Sequence, residues 1–185
     1  MAQFNINDFR SALRADGARP TLFKVILTAP VFAALNVPQL SFMAKATQMP
    51  GSTIGTVQQS YFGRKIKLAG DRNIADWQIT VINDESFDMY GAFERWINAM
   101  AHTSTRLNAQ RVLGATSSPA SYVGQALVQH YGKEGNVIRT MKLTNVWPSD
   151  VSPIDLSWDA NDTIEEFGVT FNMDWFEVVD AVGPN

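Results

Sequence analysis

The chain has 185 residues, 45% of them apolar and 18% charged, with no cysteine, two histidines and a formal net charge of −3. That length suits a single domain of ~100–200 residues, here read as spanning 1–185, and the charged share falls below the usual ~25%, which points toward self-association. The lack of cysteine excludes disulfide scaffolds, zinc–thiolate sites, thiol nucleophiles and iron–sulfur clusters, and His102 and His130 alone are too few for a multi-histidine metal cage.

Asn7 to Ala15 reads as a short helix capped by Asn7 or Asp8, with Ile6, Phe9 and Leu13 on one side, and Gly17 and Pro20 stop it. Thr21 to Ala29 is rich in β-branched and aromatic residues and predicts a strand. Pro30 to Ser60 is irregular, with Pro30, Pro38, Pro50, Gly51 and Gly55, and a short strand is expected near Gln39 to Ala46. Its apolar residues, among them Phe32, Phe42 and Ile54, argue against disorder and require a surface to cover. Tyr61 to Ala69 and Ala75 to Ile82 follow as strands, with turn chemistry expected at Gly70, Asp71 and Asn73. Trp77, Ile79 and Val81 alternate with polar Gln78 and Thr80, the pattern of a half-buried strand.

Asp84 to Ala101 predicts a helix capped by Asn83 or Asp84, with Phe87, Tyr90, Phe93, Trp96 and Ile97 on an apolar stripe. His102 and Arg106 follow, and Thr103 to Pro119 reads as loop. Ser121 to Tyr131 and Asn136 to Trp147 form a predicted hairpin around Gly132-Lys133-Glu134-Gly135. Pro148 to Pro153 is a turn region, Ile154 to Trp158 a short strand and Asp159 to Asp162 a turn. Thr163 to Val179 reads as one long strand or a pair bent around Gly168. Strands, one helix, then more strands describe an antiparallel sandwich or small barrel with a packed helix, not alternating βα units.

Charge is unevenly distributed. Ser149 to Asn185 holds nine acidic residues and no Lys or Arg, giving −9, while Met1 to Pro148 sets nine acids against fifteen bases, giving +6. Such a split is either a solvated acidic face or a basis for head-to-tail contacts between copies, which build rings or filaments. The dense basic stretch is Arg64, Lys65, Lys67 and Arg72, too small a patch for a sequence-reading nucleic-acid binder. No run of ~18 apolar residues predicts a membrane-spanning helix, and the first residues do not read as a signal peptide.

The search for chemistry returns little. No nucleophile elbow, Walker A or dinucleotide fingerprint occurs, and Gly51-Ser52-Thr53-Ile54-Gly55 lacks the lysine of a phosphate loop. Asp159, Asn161, Asp162 and Glu165 or Glu166 lack the spacing and central glycine of a calcium loop and read as a solvated turn. Neither histidine has a nucleophile beside it. Trp77 and Trp96 fall on apolar stripes and read as core. Trp147, Trp158 and Trp175 leave open a carbohydrate-binding sandwich, and a hydrolase built on paired acids is a weaker alternative.

Met49 to Met100 carries a more specific pattern: Met49-Pro50 followed by Gly51-Ser52, Tyr61-Phe62-Gly63-Arg64, Ala69-Gly70-Asp71-Arg72, Trp77, Asn83-Asp84-Glu85 and Phe93-Glu94-Arg95-Trp96. Upstream, Ala18-Arg19-Pro20-Thr21-Leu22-Phe23 leads into the first strand. In these residues the chain resembles the tail tube protein family of contractile-tailed bacteriophages, with Met49 where many members carry Leu. After Leu113 the likeness rests on strand-rich character.

The resemblance implies a mainly β protein: an antiparallel β-barrel or sandwich with one packed α-helix and a long extended loop. It implies hexameric rings stacked into a hollow tube for DNA ejection inside a contractile sheath, with no enzymatic activity and no cofactor. Implied partners are further copies of the chain, the tail sheath protein, baseplate and tail-terminator proteins, and a tape measure protein occupying the lumen before DNA. The implied location is the virion tail, and the host cytoplasm during assembly. Related tubes in bacteriocins, extracellular injection particles and type VI secretion make a DNA-free injection particle the alternative. Contacts between copies are expected at Met49, Pro50, Gly51, Ile54, Tyr61, Arg64, Lys65, Lys67 and Arg72. The lumen is expected to be neutral or acidic, because a basic lining would bind phosphates.

Overall fold

A computed structural model of the chain describes residues 6–13, 17–100 and 119–180. Its elements are α1 (Ile6–Ala12), β1 (Phe23–Thr28), a 3-10 turn at Val31–Ala33, α2 (Val37–Met43), β2 (Ala44–Thr47), β3 (Ser52–Tyr61), β4 (Arg64–Ile74), β5 (Trp77–Ile82), α3 (Asp88–Met100), α4 (Pro119–Tyr122), β6 (Gly124–Tyr131), β7 (Val137–Val151), β8 (Glu166–Asn172) and β9 (Trp175–Asp180). His102, Arg106 and most of the expected Thr103–Pro119 loop lie outside the described residues, as do Ala15 and the proposed capping side chains of Asn7 and Asp8.

Seven strands form a folded-over antiparallel sheet in the order β1-β6-β7-β8-β5-β2, with β9 also paired to β7. The fifteen-residue β7 belongs to both halves. Arg139 to Thr144 pairs with β9, and Trp147 to Val151 pairs with β8. The strand changes sheet at Asn145, which adopts φ 56°. A bend of this kind is how one strand serves two packed sheets. Asn145 Nδ2 donates to Asp174 Oδ2 at 2.7 Å, tying the bend to the β8–β9 turn. The result is a sandwich whose outer strands, β1 and β2, stay open rather than closing a barrel.

Both halves face one core. Val25, Leu27, Val128 and Leu143 come from one half, and Trp77, Ile79, Val81, Phe167 and Phe171 from the other, all at most 2% exposed. Helix α3 covers this core with Met89, Phe93 and Trp96. Phe93 packs edge-on against Phe167 and Phe171, with centroids 6.1 and 5.9 Å away. Each large side chain buried this way contributes roughly 1.5–3 kcal/mol. The buried indoles are also satisfied as donors: Trp77 Nε1 to Thr47 Oγ1 at 2.9 Å and Trp96 Nε1 to the Tyr122 carbonyl at 2.8 Å. Gly124 has no room for a side chain, since a Cβ there would lie 2.4 Å from the Thr28 carbonyl oxygen and 3.0 Å from the Trp96 ring.

Several expectations need correction. Val37 to Met43 is helical where a strand was expected, because Asn36 caps it from its side chain and Pro38 sits in its first turn. The long extended loop is replaced by the 3-10 turn, α2, β2 and β3. Gly70, Asp71 and Asn73 lie inside β4, which passes to β5 through Ala75-Asp76, and a separate turn at Phe62-Gly63 interrupts the expected Tyr61–Ala69 strand. Helix α3 begins at Asp88 instead of Asp84. β7 runs through Pro148, tolerated at a bulge between Pro148 and Asp150. Ile154 to Trp158 forms no strand, and the last strand pair breaks at Met173-Asp174, not at Gly168.

Candidate functional site

β3 and β4 form a two-stranded sheet of their own, paired from Ser52↔Ile74 to Tyr61↔Arg64. Ten residues at ~3.3 Å each give this arm a length of roughly 30 Å. Every residue of β3 is exposed, as are all of β4 except Gly70 and Ile74. At the tip, Phe62 (φ 44°) and Gly63 (φ 76°) both take left-handed backbone, the requirement of a type I′ hairpin turn. Near the root the register slips between Ile54 and Thr56, and Gly55 and Gly70 meet there. A Cβ on Gly70 would stand 3.1 Å from the Gly55 carbonyl oxygen.

Alternation gives the arm two faces. Val57 opposite Leu68, Gln59 opposite Ile66 and Tyr61 opposite Arg64 line one. Thr56 opposite Ala69, Gln58 opposite Lys67 and Ser60 opposite Lys65 line the other. The first is apolar and uncovered: Val57, Leu68, Ile66 and Tyr61 are 53, 54, 51 and 67% exposed. An isolated two-stranded hairpin is marginal in water. One that also leaves apolar side chains in solvent is built to be covered.

The expected contact residues converge on this element. Met49, Pro50 and Gly51 lead into it, Ile54 and Tyr61 lie on β3, and Arg64, Lys65, Lys67 and Arg72 lie on β4. Two of them are engaged within the chain. Pro50 is buried at the root. Arg72 places its guanidinium 4.9 Å from the Trp175 ring centroid and 5.3 Å from that of Phe176, bracing the arm against β9. Val57, Phe62, Ile66 and Leu68, also exposed on the arm, were not among the expected contacts. The signal was available in Lys65-Ile66-Lys67-Leu68, a basic–apolar alternation with period two.

The opposite end of the sandwich carries a second exposed apolar group. The loop from Ser152 to Glu165 includes Leu156, Trp158 and Ile164, which are 85, 100 and 70% exposed, together with exposed Asp155, Asp159 and Asp162. It is anchored by paired hydrogen bonds: Ser152 N–H donates to the Gly168 carbonyl and Gly168 N–H to Ser152 Oγ, each at 2.8 Å. Beside it, Asn83 N–H donates to the Glu165 carbonyl at 2.9 Å. Lys45 on β2 is ion-paired to Glu166 on β8, across the intervening strand β5.

Nothing in the described residues assembles a catalytic or metal-binding set. No group of three or more His, Asp or Glu side chains is placed to hold a metal ion among them. His130 meets the Arg19 carbonyl at 3.0 Å through Nε2. An open cleft of about 660 Å³ lies between Thr28, Tyr122, Gly124, Asn145, Trp147 and Asp174, but Asp174 is committed to Asn145. The three tryptophans considered for a sugar platform are separated: Trp147 packs edge-on to Tyr122, Trp158 stands alone on the loop and Trp175 lies under Arg72. No helix among the described residues is long and apolar enough to cross a membrane.

Comparison with known proteins gives the family of the chain. The chain is 31% identical over 163 residues to tail tube protein gp19 of Enterobacteria phage T4, covering 88% of this chain and 92% of that protein. A tail tube protein of Serratia phage KSP90 is 25% identical over 178 residues, 94% of this chain and 96% of the relative. Among solved structures, a chain of the anti-feeding prophage baseplate superposes with a TM-score of 0.63 at 11% identity, covering 89% of this chain and 96% of that one. A chain of the sheath–tube complex of an extracellular contractile injection system gives 0.58 at 12% identity, covering 93% and 97%. These two show a shared fold. The profile described as phage tail tube protein matches residues 18–178, and the chain belongs to that family.

Proposed function

We propose that this tail tube protein acts purely as a structural subunit, one domain whose copies close into hexameric rings and stack into the conduit for DNA inside a contractile sheath. The observation that supports this reading most directly is the β3–β4 arm, about 30 Å of paired strand with its apolar face in solvent. Covering that face with another copy removes exposed apolar surface and strand edges together. Sheath, baseplate and terminator proteins would then meet the outer surface and the ends of the polymer, and a tape measure protein would fill the lumen before DNA. Assembly would proceed in the host cytoplasm. A neutral or acidic lining would let the nucleic acid pass without being held.

The test is charge reversal on the arm. Arg64→Glu with Lys67→Glu is expected to abolish or strongly shorten the tubes that purified wild-type protein forms, as seen by negative-stain electron microscopy. Normal tubes from the double variant would overturn the role given to the arm.

A further inference from the structure

The arm and the Ser152–Glu165 loop sit at opposite ends of the same strands. β4 ends at Ile74, next to the first residue of β5, Trp77, and Ala75 N–H closes the root on the Gly51 carbonyl at 3.3 Å. The loop instead feeds β8, whose first residue, Glu166, pairs with the last residue of β5, Ile82. Their chemistry is complementary as well as their position. Residues 52–74 carry Arg64, Lys65, Lys67 and Arg72 against Asp71 alone, whereas residues 152–165 carry Asp155, Asp159, Asp162 and Glu165 with no base. Each also exposes apolar groups, Val57, Ile66 and Leu68 on the arm and Leu156, Trp158 and Ile164 on the loop.

From this we infer that the acidic–aromatic loop at Ser152–Glu165 is the acceptor for the β3–β4 arm of a second copy of the chain. The inference rests on the self-assembly reading and adds the partner surface to it. Val57, Ile66 and Leu68 cover Leu156 and Trp158, and Arg64 on that same face meets the acids Asp155, Asp159 and Asp162, while Lys65 and Lys67 on the opposite face reach them around the edge of the arm through their long side chains. Donor and acceptor lie at opposite poles, so no copy can satisfy its own arm through this contact. Used head to tail, the contact is heterologous and propagates along a stack. Burying the apolar groups supplies attraction, and the opposed charges fix direction, since arm-to-arm or loop-to-loop docking would bring like charges together.

Two charge-reversed proteins test this. One carries Arg64→Glu, Lys65→Glu and Lys67→Glu, and the other Asp155→Lys, Asp159→Lys and Asp162→Lys. Every substituted side chain is exposed, and circular dichroism with thermal melting checks that each protein folds. Each alone is expected to remain unpolymerised where the wild type forms tubes. Mixed in equal amounts, they are expected to co-assemble, because a reversed arm then meets a reversed loop and a native arm a native loop. Normal tubes from the loop variant alone would mean that the loop faces another protein or solvent, and would overturn the inference while leaving self-assembly standing. Failure of the mixture to assemble would overturn it too. Wild-type protein that forms no tubes would instead strike at the self-assembly reading. As a variant without charge change, Trp158→Ser is expected to raise the concentration needed for polymerisation about tenfold, as for a central aromatic contact. An unchanged threshold would count against the docking.

Discussion

Phe62 occupies a position that its residue type disfavours. Left-handed backbone is uncommon for bulky side chains, and a type I′ turn favours Asn at the place where Phe62 stands before Gly63. The ring gains little inside the chain, being 90% exposed and touching Tyr61 edge-on at 4.6 Å. A strained, solvent-facing aromatic at the tip of a long arm is better explained by a contact outside the chain than by folding. Phe62→Asn should separate the two roles. The turn improves, so the melting temperature is expected to hold or rise slightly, while the threshold for tube formation rises by about tenfold, the loss of one aromatic anchor. Calorimetry and a concentration series by light scattering read the two effects. A variant that polymerises as readily as wild type would assign Phe62 no contact.

Among the elements, the start of α3 depends on a carboxylate outside the helix. Phe87 (φ 56°) precedes the first helical residue, and Asp84 stands three residues further back. Ser86 Oγ donates to Asp84 Oδ2 at 2.6 Å, and Gln39 Nε2 donates to it at 3.0 Å from α2. The Ser86 bond, aided by the backbone N–H groups of Asp84 and Met89 and by Gln39, holds the carboxyl below its ordinary value, although partial burial opposes this. A carboxylate whose folded pKa is depressed stabilises the fold above its unfolded pKa, ~3.9 for Asp, and that contribution disappears as pH falls through the folded value. Asp84→Asn is therefore expected to lower the melting temperature at pH 7. The gap from wild type should narrow as pH drops below about 4, and close as pH falls through the lower folded value, where the Asp84 carboxylate takes up its proton. A gap independent of pH would remove the charge from the explanation.

The elements also show what sequence could and could not reveal. Trp77, Ile79 and Val81 alternate in sequence and alternate in burial. Gly132 to Gly135 connects β6 and β7 as expected, because local turn chemistry and strand period agree there. Phe93 and Trp96 lie on the predicted stripe and are buried. The misread pieces are those where one residue type serves two purposes. Pro38 reads as a breaker yet begins α2. Gly70 reads as a turn yet permits a close approach to Gly55. Ile154, Leu156 and Trp158 alternate like a strand, but no neighbour pairs with them, so they end in a loop. The proposed contact residues were named from family likeness and charge. Their convergence on one arm was not, since that required knowing that the turn falls at Phe62-Gly63.

At the scale of the whole molecule, the folded body takes little from the arm. The buried core draws on β1, the 3-10 turn at Val31–Ala33, α2, α3 and β5 to β9, and none of its buried members lies between Ser52 and Ile74. The arm touches the body mainly through its root and through Arg72 over Trp175 and Phe176. Apolar burial stabilises in proportion to area removed from water, so an element that buries almost none contributes little to the folded monomer. Excising residues 55–70 and joining Ile54 to Asp71 through Asn-Gly keeps Arg72 and every core contact. The shortened protein is expected to melt within about 4 °C of the wild type, a change of no more than ~1 kcal/mol for a domain of this size. It is also expected to sediment as a monomer at concentrations where the intact chain forms tubes. A collapse in melting temperature would make the arm part of the fold, and persistent tubes would move the assembly contacts elsewhere. A stable body without polymerisation would show that the exposed arm serves the neighbour it covers rather than the chain that carries it.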